Sequence, residues 1–254
     1  MLENVHVIHH NDLDGFCSAF IFYRMFPKAK FYMRDYSDPV PVIKAESERD
    51  KIYIVDLSFD RKVMENWNNL FHVQLLDHHK SAQEKLGDLP YCYFDMTKCG
   101  ARLAWEYCFP NEPAHWLIDY VEDLDLWKWE IPQAREVIAA LEKYKFNFKV
   151  WDKLYQKTPQ DLAEEGKVIV EYNDQLVEDH MARIELINFK GYENVPIVYC
   201  NISAISSDLG NKMIREFSDV APFAVTWQRR GGKNLFSLRS LDTHMDVSEV
   251  AKKL

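Results

Sequence analysis

Val73-Gln74-Leu75-Leu76-Asp77-His78-His79 is a short apolar run that empties into one acid and two imidazoles. The same arrangement occurs twice upstream. Val5-His6-Val7-Ile8 runs into His9-His10-Asn11-Asp12-Leu13-Asp14-Gly15, and Ile52-Tyr53-Ile54-Val55 runs into Asp56-Leu57-Ser58. Short, β-branched apolar runs of this kind read as strands buried in a parallel sheet. Between them, residues 15–25 (GFCSAFIFYRM) carry helical apolar spacing after a glycine turn, and residues 60–70 open on an acid and read as a second helix. Strand alternating with helix predicts an α/β fold with a parallel sheet. Ligand sites in such sheets lie beyond the carboxyl ends of the strands, and all three ends here carry Asp or His.

Further along, the spacing predicts helices over 100–109, 113–126 and 133–154. The charged stretch 159–189 has no glycine or proline after Gly166 and reads as a spacer helix. Alternating character then resumes. Val195–Cys200 is a strand candidate, 206–217 looks helical, and 223–227 and 235–239 read as two strands around Gly231-Gly232. The expected organisation is an N-terminal parallel-sheet domain (1–158), a helical linker (159–190) and a smaller C-terminal α/β domain (191–254).

Composition narrows the function classes. In 254 residues, 47% of them hydrophobic, no apolar run approaches the roughly 20 residues of a membrane span, so no membrane association is expected. Met1-Leu2-Glu3-Asn4 lacks a basic segment followed by an apolar one, which predicts a cytoplasmic protein. Five cysteines, an odd number with no CxxC pair, argue for reduced thiols over a disulfide framework or zinc knuckle. A net charge of -9 repels polyanions at long range, which speaks against duplex DNA as a partner. Bound cations can invert that field locally, so a phosphate substrate is still open.

Asp12, Asp14, Asp56, Asp77 and His78 converge if the three strands are neighbours. Taken singly, each motif has a plainer use: Asn11–Gly15 as an acidic turn capping a helix, Asp56 as a cap or loop residue. Together they would crowd several carboxylates, which repel strongly unless cations neutralise them. Oxygen-rich ligation with one or two imidazoles suits two manganese ions, with magnesium, iron or cobalt as weaker options, and a paired site can share a bridging carboxylate and water.

In these residues the sequence resembles the DHH phosphoesterase superfamily. Asp77-His78-His79 is similar to the triplet that names it, His10-Asn11-Asp12-Leu13-Asp14-Gly15 to its first motif, Val55-Asp56 to its second, and Val121–Trp127 to its fourth. The resemblance implies a metal-dependent hydrolase acting through a metal-activated water. Asp12 and Asp14 would each hold one of two divalent ions, Asp56 would bridge them, and His78 would bind a metal. His79 would contact the scissile phosphate and Asp77 would support the site, both counted as catalytic. The first-motif histidine would be His10, with His9 as its rival. Asp123 would be the last ligand, since it directly follows an apolar helical run, with Asp125 and Asp119 as rivals. Cys99 stands where relatives often have serine.

The C-terminal part is similar to the substrate-binding domain associated with this superfamily, which implies that Arg239 meets a substrate phosphate. A glycine-rich loop with a histidine is expected after a helix like that at 247–251. The sequence ends at Leu254 without it, and the expectation is weaker substrate affinity, a contact from a partner subunit, or lost activity. Implied substrates are short oligonucleotides or linear or cyclic dinucleotides, with Trp127, Trp129 and Phe236 as stacking candidates. A homodimer is left open. Arg102 is expected to bind substrate, and if Lys80 and Lys98 line the cleft with it, pyrophosphate or polyphosphate becomes the alternative. A non-catalytic nucleotide-binding protein is the alternative of another class.

Overall fold

Parity along the apolar runs decides the first sheet. In β1 (Val5–His10), Val7 packs into one core and Ile8 into another. In β3 (Lys51–Val55), Tyr53 and Val55 join the first core, Ile52 and Ile54 the second. In β4 (His72–Asp77), Leu76 belongs to the first, and Val73 and Leu75 to the second. Alternate residues of a strand face opposite sides, so a sheet apolar at every position must be covered on both faces. The register obeys this: Val7 pairs with Tyr53, Ile8 with Ile54, Ile54 with Leu75 and Val55 with Leu76.

The computed structural model describes residues 4–47, 50–241 and 243–252. The chain divides into two compact units, Met1–Lys167 and Val168–Leu254. In the first, α1 (Leu13–Met25), β2 (Lys30–Arg34), α2 (Arg61–Asn68), α3 (Lys80–Leu86) and β5 (Cys92–Phe94) complete a doubly wound parallel sheet of order β2-β1-β3-β4-β5. Chain direction across the sheet reverses between β1 and β3, the switch point where such folds bind ligands. β2 and β5 are additions to the expected strands. Both are short, and none of their residues is fully buried, so neither presents an apolar run.

α1 is buried from Leu13 through Phe22. A helix apolar all round must be central, and this one packs against β1, α4 (Gly100–Cys108), α5 (Trp116–Asp125) and α7 (Phe148–Leu154). Phe16 stacks on Phe146 at 4.9 Å and Phe148 at 5.1 Å, with Trp151 edge-on at 5.0 Å. Each such ring contributes roughly 1.5–3 kcal/mol by burial. The helix expected over 133–154 is two: α6 (Ala134–Glu142), then α7, restarted by Asn147, whose side chain accepts from the Val150 amide. All five cysteines are free.

α8 (Pro159–Met181) ends earlier than its charge pattern suggests. Residues 185–189, expected to finish that helix, form strand β6 (Glu185–Phe189), because it pairs antiparallel with β7 (Tyr192–Tyr199) across Lys190 and Gly191, both at positive φ. The second unit continues with α9 (Ser203–Glu216), β8 (Ala224–Arg230), β9 (Lys233–Arg239) and α10 (Ser248–Ala251), in a four-stranded mixed sheet of order β6-β7-β8-β9. Among the described residues, no helix is long and apolar enough to cross a membrane.

Gly166 lets α8 lie directly on the start of α6: a Cβ there would stand 1.7 Å from the Glu136 carbonyl oxygen. Glu165 beside it accepts from Lys143 Nζ at 2.7 Å and Tyr144 Oη at 2.6 Å. Since the obstacle is backbone, Gly166→Ala should destabilise the fold by at least about 2 kcal/mol, read by urea denaturation; a loss under about 0.5 kcal/mol would refute the close packing.

Candidate metal centre at the strand ends

The register that buries the apolar residues also aligns the polar ones. His9 pairs with Val55 and Val55 with Leu76, so His10, Asp56 and Asp77 stand in line one residue further on. The Asp56 amide donates to the Leu76 carbonyl at 3.0 Å. Asp56 then turns at φ 56, a left-handed conformation that costs a non-glycine residue about 1–3 kcal/mol. Asp14, Asp56 and Asp77 are all at most 3% exposed.

Three overlapping groups of potential ligands result: His10, Asp12 and Asp56; Asp14, His78 and Asp125; and Asp56, Asp77, His78 and His79. Within each, the ligand atoms lie within 4.8 Å of one another. His10 Nδ1 is 2.6 Å from Asp12 Oδ2 and 3.7 Å from Asp56 Oδ2. His78 Nε2 is 3.1 Å from Asp56 Oδ1, 3.5 Å from Asp125 Oδ2 and 3.8 Å from Asp14 Oδ2. Asp56 thus faces His10 with one oxygen and His78 with the other.

Each carboxylate is held from behind. Asp12 caps α1 by accepting from the Gly15 amide at 2.8 Å through Oδ1, which leaves Oδ2 to face His10. Asp14 accepts from the amides of Gly100 at 2.6 Å and Ala101 at 2.7 Å, so it sits at the positive end of α4. Asp77 Oδ1 accepts from the amides of His78 and His79 at 2.8 and 3.2 Å and lies 2.7 Å from His79 Nδ1. That contact leaves His79 Nε2 unengaged by Asp77.

The field is strongly negative. Burial raises the Asp14 carboxyl well above the ordinary range, and Asp56 and Asp125 push it further. Burial and the repulsion of Asp56 and Asp12 bring Asp125 up to about 6, against the opposing pull of His78. Burial alone would lower His10, but Asp12 and Asp56 outweigh it and carry the imidazole to about 10. His78 is raised against burial in the same way, by Asp56 and Asp125. Yet His10 Nδ1, Asp56 Oδ2 and Asp77 Oδ2 are buried without an aligned hydrogen-bond partner. Buried polar atoms are almost always satisfied. Unpaired donor atoms of hard and borderline type, aimed into a shared space where protons are drawn, fit divalent cations.

Several sequence expectations change. Asp123, chosen as the last ligand, is turned away: it accepts from the Glu130 amide at 2.9 Å and the Ile131 amide at 3.4 Å, fixing the loop after α5. Asp125 is in the cluster instead. Leu117, Val121 and Asp125 share one helical stripe at i, i+4 and i+8, and the first two are buried, so that periodicity was the available signal. Asp119 pairs with Arg102. Arg102, expected at substrate, is committed to Asp119 at 2.5 Å and Glu122 at 2.9 Å. His9 lies outside the ligand groups; its Nδ1 is 2.8 Å from the His10 carbonyl, and burial takes its pKa to about 4. In the second unit, Arg239 donates from Nη2 to Ser207 Oγ at 3.0 Å, and its Nε is buried without a partner. Trp127 and Trp129 lie half-buried just beyond Asp125, edge to face at 5.2 Å and both at positive φ, while Phe236 packs on Phe189. Tyr36 was missed. It follows β2 in a loop without motif, and its ring lies 5.1 Å from His10 and 6.1 Å from His79.

A doubly wound sheet with an Asp/His cluster at its switch point defines an α/β domain whose strand ends gather residues able to hold metal ions. Residues 4–123 match the DHH family, N-terminal domain, which with the fold supports the DHH phosphoesterase superfamily for this chain. It is 29% identical over 262 residues to uncharacterized protein R106 of Acanthamoeba polyphaga mimivirus, covering 94% of this chain but only 61% of that relative's length. In fold it is similar to the pGpG-specific phosphodiesterase PggH of Vibrio cholerae, with a TM-score of 0.54, 12% identity, and coverage of 99% of this chain and 88% of that one. It is likewise similar to RecJ in complex with Mn2+ from Thermus thermophilus, with a TM-score of 0.54, 14% identity, and coverage of 99% and 47%.

The two acids separate experimentally. Asp125→Asn should weaken Mn2+ binding by at least about tenfold in calorimetric titration, as loss of a ligand does; Asp123→Asn should lower thermal stability and affect the metal less. The reverse pattern would restore Asp123. A pH dependence accompanies this. Asp14 and Asp125 bind protons more readily folded than unfolded, so their contribution favours folding at low pH and is lost as pH rises through about 6 for Asp125. Divalent cations should return it. Mn2+ should raise the melting temperature several degrees more at about pH 7.5 than at about pH 5.

Proposed function

We propose that this protein is a metal-dependent phosphoesterase that hydrolyses phosphodiester bonds in short oligonucleotides or linear or cyclic dinucleotides. One observation carries the reading: Asp56 presents its two oxygens to two ligand sets, His10 with Asp12 on one side and His78 with Asp14 and Asp125 on the other. The match of residues 4–123 to the DHH family fits it, as do the phosphodiesterase and the Mn2+-bound RecJ that share its fold. The oxygen-rich donor set with two imidazoles favours manganese, with magnesium or cobalt able to substitute.

Divalent cations held there would supply neutralisation of phosphoryl charge and a nucleophile from water at neutral pH. The chain's own residues do the rest. Asp56 keeps the two sets together from a fixed, strained backbone. Asp77 accepts from His79 Nδ1 and from both following amides, and its hydrogen bond raises the imidazole's pKa against burial, so the protonated ring presents Nε2–H to a phosphate oxygen or leaving group. Asp14 is anchored by α4, which holds the ligands still as charge develops. The alternative phosphoanhydride substrate needs free cationic side chains in the cleft. Of the three candidates, Lys98 is instead paired with Glu106 and Asp95 and Arg102 with Asp119 and Glu122, which leaves exposed Lys80 and argues for a diester.

The acidic chain suits a small substrate over duplex DNA. The test is turnover with Mn2+ of bis-p-nitrophenyl phosphate, a linear dinucleotide, a cyclic dinucleotide, pyrophosphate and polyphosphate. Diesters should turn over and the anhydrides should not. Asp56→Asn and His78→Ala should each reduce kcat by about a thousandfold or more; His79→Ala should reduce kcat while leaving Mn2+ affinity within about threefold. Turnover that survives both ligand substitutions would exclude this site.

A further inference from the structure

Beside the strand-end cluster, between the loop after β2 and helices α2 and α3, lies a cavity of about 330 Å3. That volume falls within the roughly 300–1,000 Å3 of small-molecule sites. Buried Leu57, Ala82 and Leu86 form its apolar side, and Phe59, held edge-on against Trp67 at 5.2 Å, adds an aromatic wall. Tyr36 belongs to both places. It lines the cavity, it is 59% exposed, and its ring stands against His10 and His79. A molecule whose phosphate lies at the cluster therefore meets this cavity next.

The polar groups tell which part of that molecule enters. Asp35, Asp38 and Asp60 face one ammonium, Lys85. Such an excess of carboxylates repels phosphate. Asp35 Oδ2 already accepts from Asn11 Nδ2 at 3.2 Å, and Asp38 Oδ2 from the Asp35 amide at 2.9 Å. Asp60 precedes α2 yet makes no capping bond with its side chain, so its carboxylate can accept from a ligand. A mixed cavity with one apolar side, two aromatic rings on its lining and an uncommitted carboxylate suits a flat heterocycle that carries N–H donors.

Resting on the phosphodiesterase reading, we infer that this cavity is a nucleobase subsite, that it takes the base adjoining the scissile phosphate, and that it favours guanine. Guanine offers a carboxylate two adjacent donors, its ring N1–H and exocyclic amine. Adenine and cytosine set their amine beside a ring acceptor that a carboxylate repels, and uracil flanks its one N–H with carbonyls. A charged acceptor meeting two donors instead of one is worth about tenfold or more in affinity.

The test uses the full chain with Mn2+. Turnover of 5′-phosphorylated GpG, ApA, CpC and UpU is compared with that of bis-p-nitrophenyl phosphate, which has no N–H donor, for the wild type, Asp60→Asn and Ser81→Trp. Ser81 is exposed on the cavity lining, so the tryptophan fills space without entering the core. Binding of GMP and CMP is measured in parallel by calorimetry. The expected result is GpG favoured over CpC by about tenfold in kcat/KM, GMP bound more tightly than CMP, and the ratio of GpG to bis-p-nitrophenyl phosphate turnover lowered about tenfold or more by each variant, chiefly through KM. Equal turnover of the four dinucleotides, or a guanine preference that neither variant moves, overturns the subsite and leaves the phosphoesterase reading intact. Failure to cleave any diester overturns that reading instead. The subsite is then decided by binding alone: GMP affinity lost in both variants supports it, and equal affinity for GMP and CMP overturns it.

Discussion

Carboxylates held away from water at the ends of three parallel strands are the constraint on which the rest of this domain turns. Asp14, Asp56 and Asp77 are almost fully buried within one cluster. Burying like charges together is costly unless each is matched by opposite charge or hydrogen bonds. The domain meets part of that cost with its backbone. Two amides at the start of α4 hold Asp14, two amides after β4 hold Asp77, and the first turn of α1 holds Asp12. What these amides leave unmatched is the inward-facing set of oxygens and the His10 nitrogen. The cost of burying this cluster and its fit to cations are therefore two views of one imbalance.

Fixing such a cluster demands precision from the fold. Gly100 shows how tight it is, since a Cβ at that position would lie 2.6 Å from Asp56 Cβ and 2.9 Å from Asp14 Oδ2. Only a residue without a side chain lets α4 bring its amides onto Asp14 while β3 delivers Asp56. The left-handed turn at Asp56 belongs to the same geometry. It ends the strand abruptly and aims the carboxylate back between β1 and β4. A backbone this strained persists only where its surroundings over-determine it, and here the cores on both sheet faces do so.

Much of this was legible in the sequence, and the reason is periodicity. Apolar runs that end in Asp or His declare both a buried strand and where its polar end must lie, so β1, β3 and β4 and the convergence of His10, Asp12, Asp14, Asp56, Asp77 and His78 follow from one pattern. Elements without such a run were hidden. β2, β5 and β6 are short and partly exposed, and β6 exists because β7 returns beside it across a turn. Asp125 lay hidden for a different reason. An acid after an apolar helix is ambiguous until the helix phase is followed through Leu117 and Val121, which carries their stripe on to Asp125 at the cluster's edge, while Asp123, though buried, is held by the next loop. The commitments of Arg102 and Lys98 were beyond sequence reasoning, because Arg102 finds its partners 17 and 20 residues away on another helix.

Those commitments bear on how a substrate is chosen. In the N-terminal unit, Lys98 and Arg102 are spent on neighbouring acids, and the groups gathered in the cluster itself are carboxylates and imidazoles. Such a surface has little with which to grip a phosphate directly. On the proposed function, phosphate recognition would then rest chiefly on cations held at the cluster, and it would be the same for any phosphate ester. Selectivity has to arise from the part of the substrate that is not phosphate. Tyr36 is where the two requirements meet: one side of its surroundings is the histidine edge of the cluster, the other a cavity whose acids reject phosphate. On the proposed function, metal affinity and substrate identity fall to different residues, so a change in the cavity would alter which ester is taken while the strand-end residues stay as they are.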